Sequence, residues 1–174
     1  MDSLIDSIAG SDLRYHLTME VETFIEDNRG ALYRIAASYE ADADRLQDLL
    51  QEIVLAVWSA SKKFRGESSF RTFAFRVAHN RAMTFVASEQ RRNAREEMDG
   101  GAEVVVVDAP DRKLARDQLL DQVRSLPLPL RQVLTLALEG LSYDEIAQVL
   151  DITRNNAGVR LNRARSQLKE MWDA

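Results

Sequence analysis

A chain of 174 residues with 45% apolar and 29% charged side chains can build one ordinary domain or two small ones. Its 0 cysteines exclude a disulfide scaffold, a thiol nucleophile and Cys-ligated zinc, and its 2 histidines, His16 and His79, are too few and too far apart for a His-based metal cage, so no metal or cofactor is expected. No apolar run approaches the roughly 20 residues of a membrane span, the start Met1-Asp2-Ser3 lacks a signal-peptide pattern, and a soluble, cytoplasmic protein of net charge −5 is the expectation.

Residues 1–17 carry no readable pattern. From 18 to 38, Met19, Val21, Phe24, Ile25, Leu32, Ile35 and Ala36 recur at roughly helical spacing, with Gly30 weakening the middle. Residues 43–62 are clearer: Leu46, Leu49, Leu50, Ile53, Val54 and Val57 make one apolar stripe of an amphipathic helix. Its other face repeats Asp44, Asp48 and Glu52 at i+4, beside Gln47 and Gln51. Carboxylates stacked this way repel unless a cation faces them. They read either as a solvated face or as an interface for a basic protein surface. A carboxylate-bridged metal site would need Glu-x-x-His repeats on paired helices, which the sequence lacks.

Residues 62–68 read as a loop containing Lys62, Lys63 and Arg65, and Ser68 or Ser69 can cap the helix that follows, about 69–93. That helix is expected to bury Phe70, Phe73, Val77 and Phe85. Its other side collects Arg71, Phe75, Arg76, His79 and Asn80, and Arg81, Arg91, Arg92 and Arg95 extend the positive strip. An aromatic ring among cations and amides is either core or a stacking platform for a single nucleic-acid strand. Gly100-Gly101, Pro110 and flanking acids then mark a linker, in which Val104 to Val107 predict an extended segment that docks on something.

Shorter helices are predicted at about 112–125, 128–139, 142–150 and 153–171. Pro127 and Pro129 separate the first two, Gly140 sits where a helix C-terminal glycine belongs, and Ser142 to Glu145 spells a capping box. The fold class is therefore all-α: an N-terminal helical bundle and a C-terminal four-helix domain joined by an acidic linker. Charge follows the same division. Residues 61–95 hold 9 basic and 2 acidic side chains and residues 152–169 hold 5 and 0, whereas 1–60 hold 4 and 12. Two compact positive blocks thus lie in an otherwise acidic chain.

The last two helices, separated by Asp151-Ile152, have helix-turn-helix spacing. In that motif the second helix enters the major groove, its first residues meeting base edges and its cations meeting phosphates. Here Ala157, Leu161, Ala164 and Leu168 form the apolar stripe, and Arg154, Asn155, Asn156, Arg160, Arg163 and Arg165 occupy the other face. Arg suits guanine and Asn adenine, and Thr153 is a plausible cap that leaves early N–H groups near a phosphate. A solvated cationic helix is the plainer alternative. Gly158, costly inside a helix, reads as a point of close approach by a backbone or phosphate.

Together these residues resemble the extracytoplasmic-function (ECF) group of bacterial RNA polymerase sigma factors. The resemblance covers roughly 20–95 and 112–171. It rests on Asp48-Leu-Leu-Gln-Glu52, on Phe64-Arg-Gly-Glu-Ser-Ser-Phe-Arg-Thr-Phe73 and Phe75-Arg-Val-Ala-His-Asn-Arg81, and on Leu126-Pro, Gly140-Leu-Ser-Tyr-Asp-Glu-Ile-Ala147 and Arg163-Ala-Arg165. It implies an extension at 1–17, sigma domain 2 at 18–95, a linker at 96–111 that threads the polymerase channel, and sigma domain 4 at 112–174. Asp48, Gln51 and Glu52 would bind the clamp helices of the polymerase largest subunit. Lys62, Lys63, Arg65, Arg71, Phe75, Arg76, Asn80 and Arg81 would capture the minus-ten element, with a base flipped into a pocket. Thr153, Arg154, Asn155, Asn156, Arg160, Arg163 and Arg165 would read the minus-thirty-five element. The implied partners are core RNA polymerase, promoter DNA and an anti-sigma factor, and no enzymatic activity is implied. A stand-alone helix-turn-helix regulator is the alternative. Two departures stand out. The family's Gly-Thr-Val-Lys-Ser-Arg run is Asn155-Asn-Ala-Gly-Val-Arg160 here, so no base preference carries over, and the common Trp of the minus-ten helix is Phe73.

Overall fold

The computed structural model describes residues 20–98 and 115–173. The described residues form α1 (20–27), α2 (Arg29–Tyr39), α3 (Ala43–Ser61), α4 (Phe70–Met98), α5 (Ala115–Ser125), α6 (Leu128–Leu138), α7 (Tyr143–Leu150) and α8 (Arg154–Asp173), with no strand among them. The all-α expectation with two groups of helices holds. The expected segments 1–17 and Val104 to Val107 lie outside the described residues, and α4 runs on through Met98.

The single helix predicted over 18–38 is two. The break falls at Asn28, whose φ of −107° and ψ of 12° leave the helical basin and whose side-chain amide donates to the Phe24 carbonyl at 2.9 Å. An amide that bonds the backbone locally competes with the helix ladder. The cause is therefore Asn28 rather than Gly30.

Local signals set most other boundaries. The Asp42 carboxylate accepts from the N–H groups of Asp44 and Arg45 at 3.1 and 3.0 Å and starts α3. Ser69 rather than Ser68 caps α4, accepting from the Thr72 N–H at 3.1 Å. After α6 the N–H groups of Gly140 and Leu141 turn back to the carbonyls of Ala137 and Leu136 at 2.9 and 3.2 Å. That closure needs φ of +79° at Gly140, which glycine adopts without steric cost. Asp151 does the same after α7 at φ 52°.

In the N-terminal group Leu46, Leu49, Ile53 and Val57 of α3 pack inward, as the stripe predicted. The inward face of α4 differs from expectation. Phe70, Phe73, Val77 and Phe85 are half-buried, and Ala74, Phe75, Ala78 and Ala82 are the fully buried positions. The alanines let α4 press closely against α2 and α3 while α7 covers it from another side. The C-terminal group packs α5, α6, α7 and α8, and α8 buries Ala157, Leu161, Ala164 and Leu168 as expected.

Gly158 lies on α8 with nothing within 4 Å of where a Cβ would stand, so no part of the described chain explains it by close approach. Gly158→Ala is expected to stabilise the protein by about 1 kcal/mol through helix propensity. A thermal melt checks this, and a lowered midpoint would show that α8 needs the glycine.

Candidate functional site

Three surfaces carry the residues singled out by sequence. On α3, Asp48 and Gln51 are exposed, one turn apart. Glu52 beside them is half-exposed and pairs with Arg81 of α4 at 2.9 Å. A cation therefore does face part of the acidic stripe, and Arg81 is tied to the acidic face of α3 as well as to the positive strip. Leu55, 63% exposed, and Trp58, 39% exposed, continue the same line of α3. Sequence reading passed over both, although their i+4 and i+7 spacing from Gln51 places them on that face. Apolar side chains next to uncompensated acids are the composition of an interface centre with a polar rim.

The second surface is the loop 62–69 with the first turns of α4. Phe64 anchors it, its ring 5.3 Å from Phe70 and 5.0 Å from Phe73, with Phe24 against Phe70 at 5.1 Å. Gly66 turns the chain at φ +74°. Because Phe64 is held inward, Lys63 and Arg65 on either side stay exposed. Lys62 lies over the Trp58 ring at 4.3 Å. Lys63, Arg65, Arg76 and Asn80 then line one cavity of about 510 Å³, whose floor includes Phe73 and Val77.

Two residues expected on this surface are not there. Phe75 is 0% exposed and packs toward Phe24, so it is core and offers no stacking face; Arg71 lies over its ring at 5.0 Å. His79 is also buried, its Nδ1 hydrogen-bonded to the Tyr39 hydroxyl at 2.7 Å. Burial pushes the imidazole down to about 4, so it is neutral near pH 7. Burial likewise raises the Tyr39 phenol. The spacing error has a cause: α4 is covered from more than one side, so its inner face is wider than a single stripe.

Arg71 and Thr72 face the C-terminal group. An Arg71 Nη donates to the backbone carbonyl of Glu139, and Thr72 Oγ1 is 3.4 Å from Glu145 Oε1. Glu145 closes the predicted capping box with the Ser142 N–H and hydroxyl, both at 2.8 Å. Those two bonds hold its carboxyl below the usual range.

The third surface is the start of α8. The Thr153 hydroxyl accepts from the Asn156 N–H at 3.2 Å, as a cap does. Arg154, Asn155, Arg163 and Arg165 are exposed. Arg154 is 3.5 Å from Asp144 of α7. Arg160 is half-buried and donates from Nε to the Asn156 side chain at 2.9 Å, which fixes the two as a unit. Among the described residues no group of acids and histidines could hold a metal ion, and no helix is long and apolar enough to cross a membrane.

An acidic face, a cationic loop and helix, and a cationic helix-turn-helix on separate elements define a transcription protein that engages both a protein and DNA. Comparison with known families agrees: residues 24–92 match Sigma-70 region 2 and residues 116–168 match Sigma-70 region 4. The chain is 31% identical over 137 residues to the ECF RNA polymerase sigma-E factor of Haemophilus influenzae, covering 71% of this chain and 72% of that protein. It is 30% identical over 134 residues to the sigma-E factor of Escherichia coli K12, covering 70% of each. The sigma factor RpoE of Bartonella quintana, solved with the anti-sigma factor NepR, shares the fold at a TM-score of 0.69 and 21% identity over 89% of this chain and 98% of that one. The structure of CnrH with the cytosolic domain of CnrY aligns at 0.65 and 23% identity, over 90% and 95%. This chain belongs to the ECF group of RNA polymerase sigma factors. Its function is to bind core RNA polymerase and direct it to promoters, rather than to act as a stand-alone regulator.

Proposed function

We propose that each of the three surfaces has one task. Asp48, Gln51 and Glu52, extended by Leu55 and Trp58, dock on the clamp helices of the polymerase largest subunit. Lys62, Lys63, Arg65, Arg76, Asn80 and Arg81 hold the opened minus-ten strand, with a flipped base entering the cavity beside Asn80. Thr153, Arg154, Asn155, Asn156, Arg160, Arg163 and Arg165 hold the minus-thirty-five element. Arg71 is available to the minus-ten strand only when its bond to Glu139 is released. The domain limits 18–95 and 112–174, joined by 96–111, follow the same assignment, and the work is recognition with no catalysis by this chain. An anti-sigma protein is the expected negative partner.

The observation that carries the reading is segregation: the exposed acids of α3 and the exposed cations of loop 62–69 and α8 occupy different elements. One surface of mixed charge could not serve a basic protein and a polyanion at once. Phosphate contacts also make DNA binding fall steeply with salt.

Gel filtration with core polymerase and transcription from a genomic fragment pool test it. Glu52→Lys is expected to weaken core association at least ten-fold with helicity unchanged, because its partner Arg81 is exposed enough to find water instead. Arg160→Ala is expected to weaken minus-thirty-five binding by a similar factor and leave core association intact. Unchanged co-elution of the first variant, or lost co-elution of the second, would overturn the assignment.

A further inference from the structure

The cavity of about 510 Å³ lined by Lys63, Arg65, Arg76 and Asn80 has a second wall, made by Gln148 of α7 and by Asp151 just after it. Between the walls lie Phe64, Phe73 and Val77. The Phe64 and Phe73 rings pack at 5.0 Å, which fixes this apolar floor. Asp151 is fixed as well, since the chain leaves α7 through it at φ 52° with its N–H on the Ala147 carbonyl. Among the described residues, the side chains of Lys63, Arg65, Arg76, Asn80, Gln148 and Asp151 have no hydrogen-bond or ion-pair partner. Their neighbours Arg71, Thr72 and Arg81 all have one. Glu67 is the other carboxylate of the lining, so cations outnumber acids three to two.

The two walls differ in chemistry. Loop 62–69 and α4 supply cations, and charge-assisted bonds from Arg and Lys to phosphate oxygens are among the stronger polar contacts. The floor offers aromatic and aliphatic surface to a planar base. The α7 wall offers an amide, which both donates and accepts, and a carboxylate, which accepts from a sugar hydroxyl. A ligand that fits both walls is polyanionic at one end and neutral, flat and rich in hydrogen-bonding groups at the other. The volume lies within the roughly 300–1,000 Å³ of small-molecule pockets. Inorganic phosphate would use the cations and leave the floor and the α7 wall without a contact.

We propose that the cavity between loop 62–69, α4 and α7 binds a free ribonucleoside triphosphate. Its phosphates lie on Lys63, Arg65 and Arg76, its base on the floor beside Asn80 and Gln148, and its ribose hydroxyls on Asp151. The inference rests on the surface assignment above, because Lys63, Arg65, Arg76 and Asn80 are shared with the minus-ten strand. Gln148 and Asp151 are not shared, and they separate the two ligands. A DNA strand has no 2′-hydroxyl to donate to a carboxylate, and the 2′-hydroxyl is what distinguishes a ribonucleotide from its deoxy counterpart at a given site.

Isothermal titration of the full-length protein with ATP, GTP, CTP and UTP in turn tests this, with the matching deoxynucleotides and inorganic tripolyphosphate as controls. At least one ribonucleotide is expected to bind more tightly than about 1 mM, and about ten-fold more tightly than its deoxy counterpart or tripolyphosphate. Arg76→Ala is expected to weaken it about ten-fold, and so is the double variant Gln148→Ala with Asp151→Asn. All three positions are exposed, and Asn tolerates the left-handed conformation of Asp151, so the fold is kept. In complex with core polymerase, the double variant should bind a single-stranded minus-ten oligonucleotide as the unmutated protein does, whereas Arg76→Ala should bind it less well. Absence of ribonucleotide binding, equal binding of the deoxynucleotide, equal binding of tripolyphosphate (an adventitious ion only) or unchanged affinity in the double variant would each overturn the nucleotide site and leave the surface assignment standing. Loss of nucleotide binding in Arg76→Ala with oligonucleotide binding intact would overturn the surface assignment and leave the nucleotide site standing.

Discussion

Phe75→Ala is expected to cost the folded protein about 3–5 kcal/mol, the usual loss for a buried Phe, and to abolish activity only because the N-terminal helices come apart. The ring is 0% exposed among α4 neighbours Ala74 and Ala78, with Phe24 6.3 Å away. Those two alanines cannot expand to fill the void its removal leaves, so cavity cost adds to lost transfer energy. Urea denaturation followed by circular dichroism measures it as a lowered midpoint at unchanged slope. Phe75→Leu should lose less than half as much, since most of the volume returns. A stable Phe75→Ala protein that had lost only its affinity for single-stranded DNA would reinstate the stacking role that the sequence suggested.

Phe75 also marks where sequence reading reached its limit. The stripes of α3 and α8 were legible because each helix is covered on one side only, and period 3.6 then reports burial directly. Capping was legible because it is local: Ser69, Ser142 and Gly140 act within a few residues of themselves. On α4, sandwiched between α2, α3 and α7, large aromatic residues look like the core and alanines look indifferent, yet the alanines are what the neighbouring helices press on. The acids of α3 and the cations of α8 were legible as charged residues off the apolar stripes, and most of them are exposed. Trp58 and Leu55 were visible in principle, as apolar residues on an acidic face. Arg34 and Glu139 were not. Arg34 of α2 and the Glu139 carboxylate at the end of α6 pair at 2.5 Å across 105 positions, and nothing local in either distinguishes a half-buried ion pair from two solvated charges.

Acid should expose the other buried group that sequence alone placed wrongly. His79 is neutral in the folded protein down to about pH 4, against 6.5 for a free imidazole, because burial disfavours its cation. Between those values the unfolded chain binds a proton that the folded chain refuses. Stability from this group is therefore fully present above pH 6.5, falls as pH drops, and reaches its floor near pH 4, a loss of about 3 kcal/mol. The Tyr39 hydroxyl is hydrogen-bonded to His79 Nδ1 at 2.7 Å. Tyr39 also receives the side chain of Gln132 from α6. Protonation of His79 thus loosens α2 from α4 beside the contact between the two groups of helices. Urea midpoints taken from pH 8 to pH 4 should decline in the unmutated protein beyond what its surface carboxylates produce. In His79→Gln, which keeps an acceptor for Tyr39 but cannot titrate, the part of the slope between pH 6.5 and 4 should disappear. Equal slopes in the two proteins would mean that His79 takes its proton without leaving its place, and that its burial carries no such penalty.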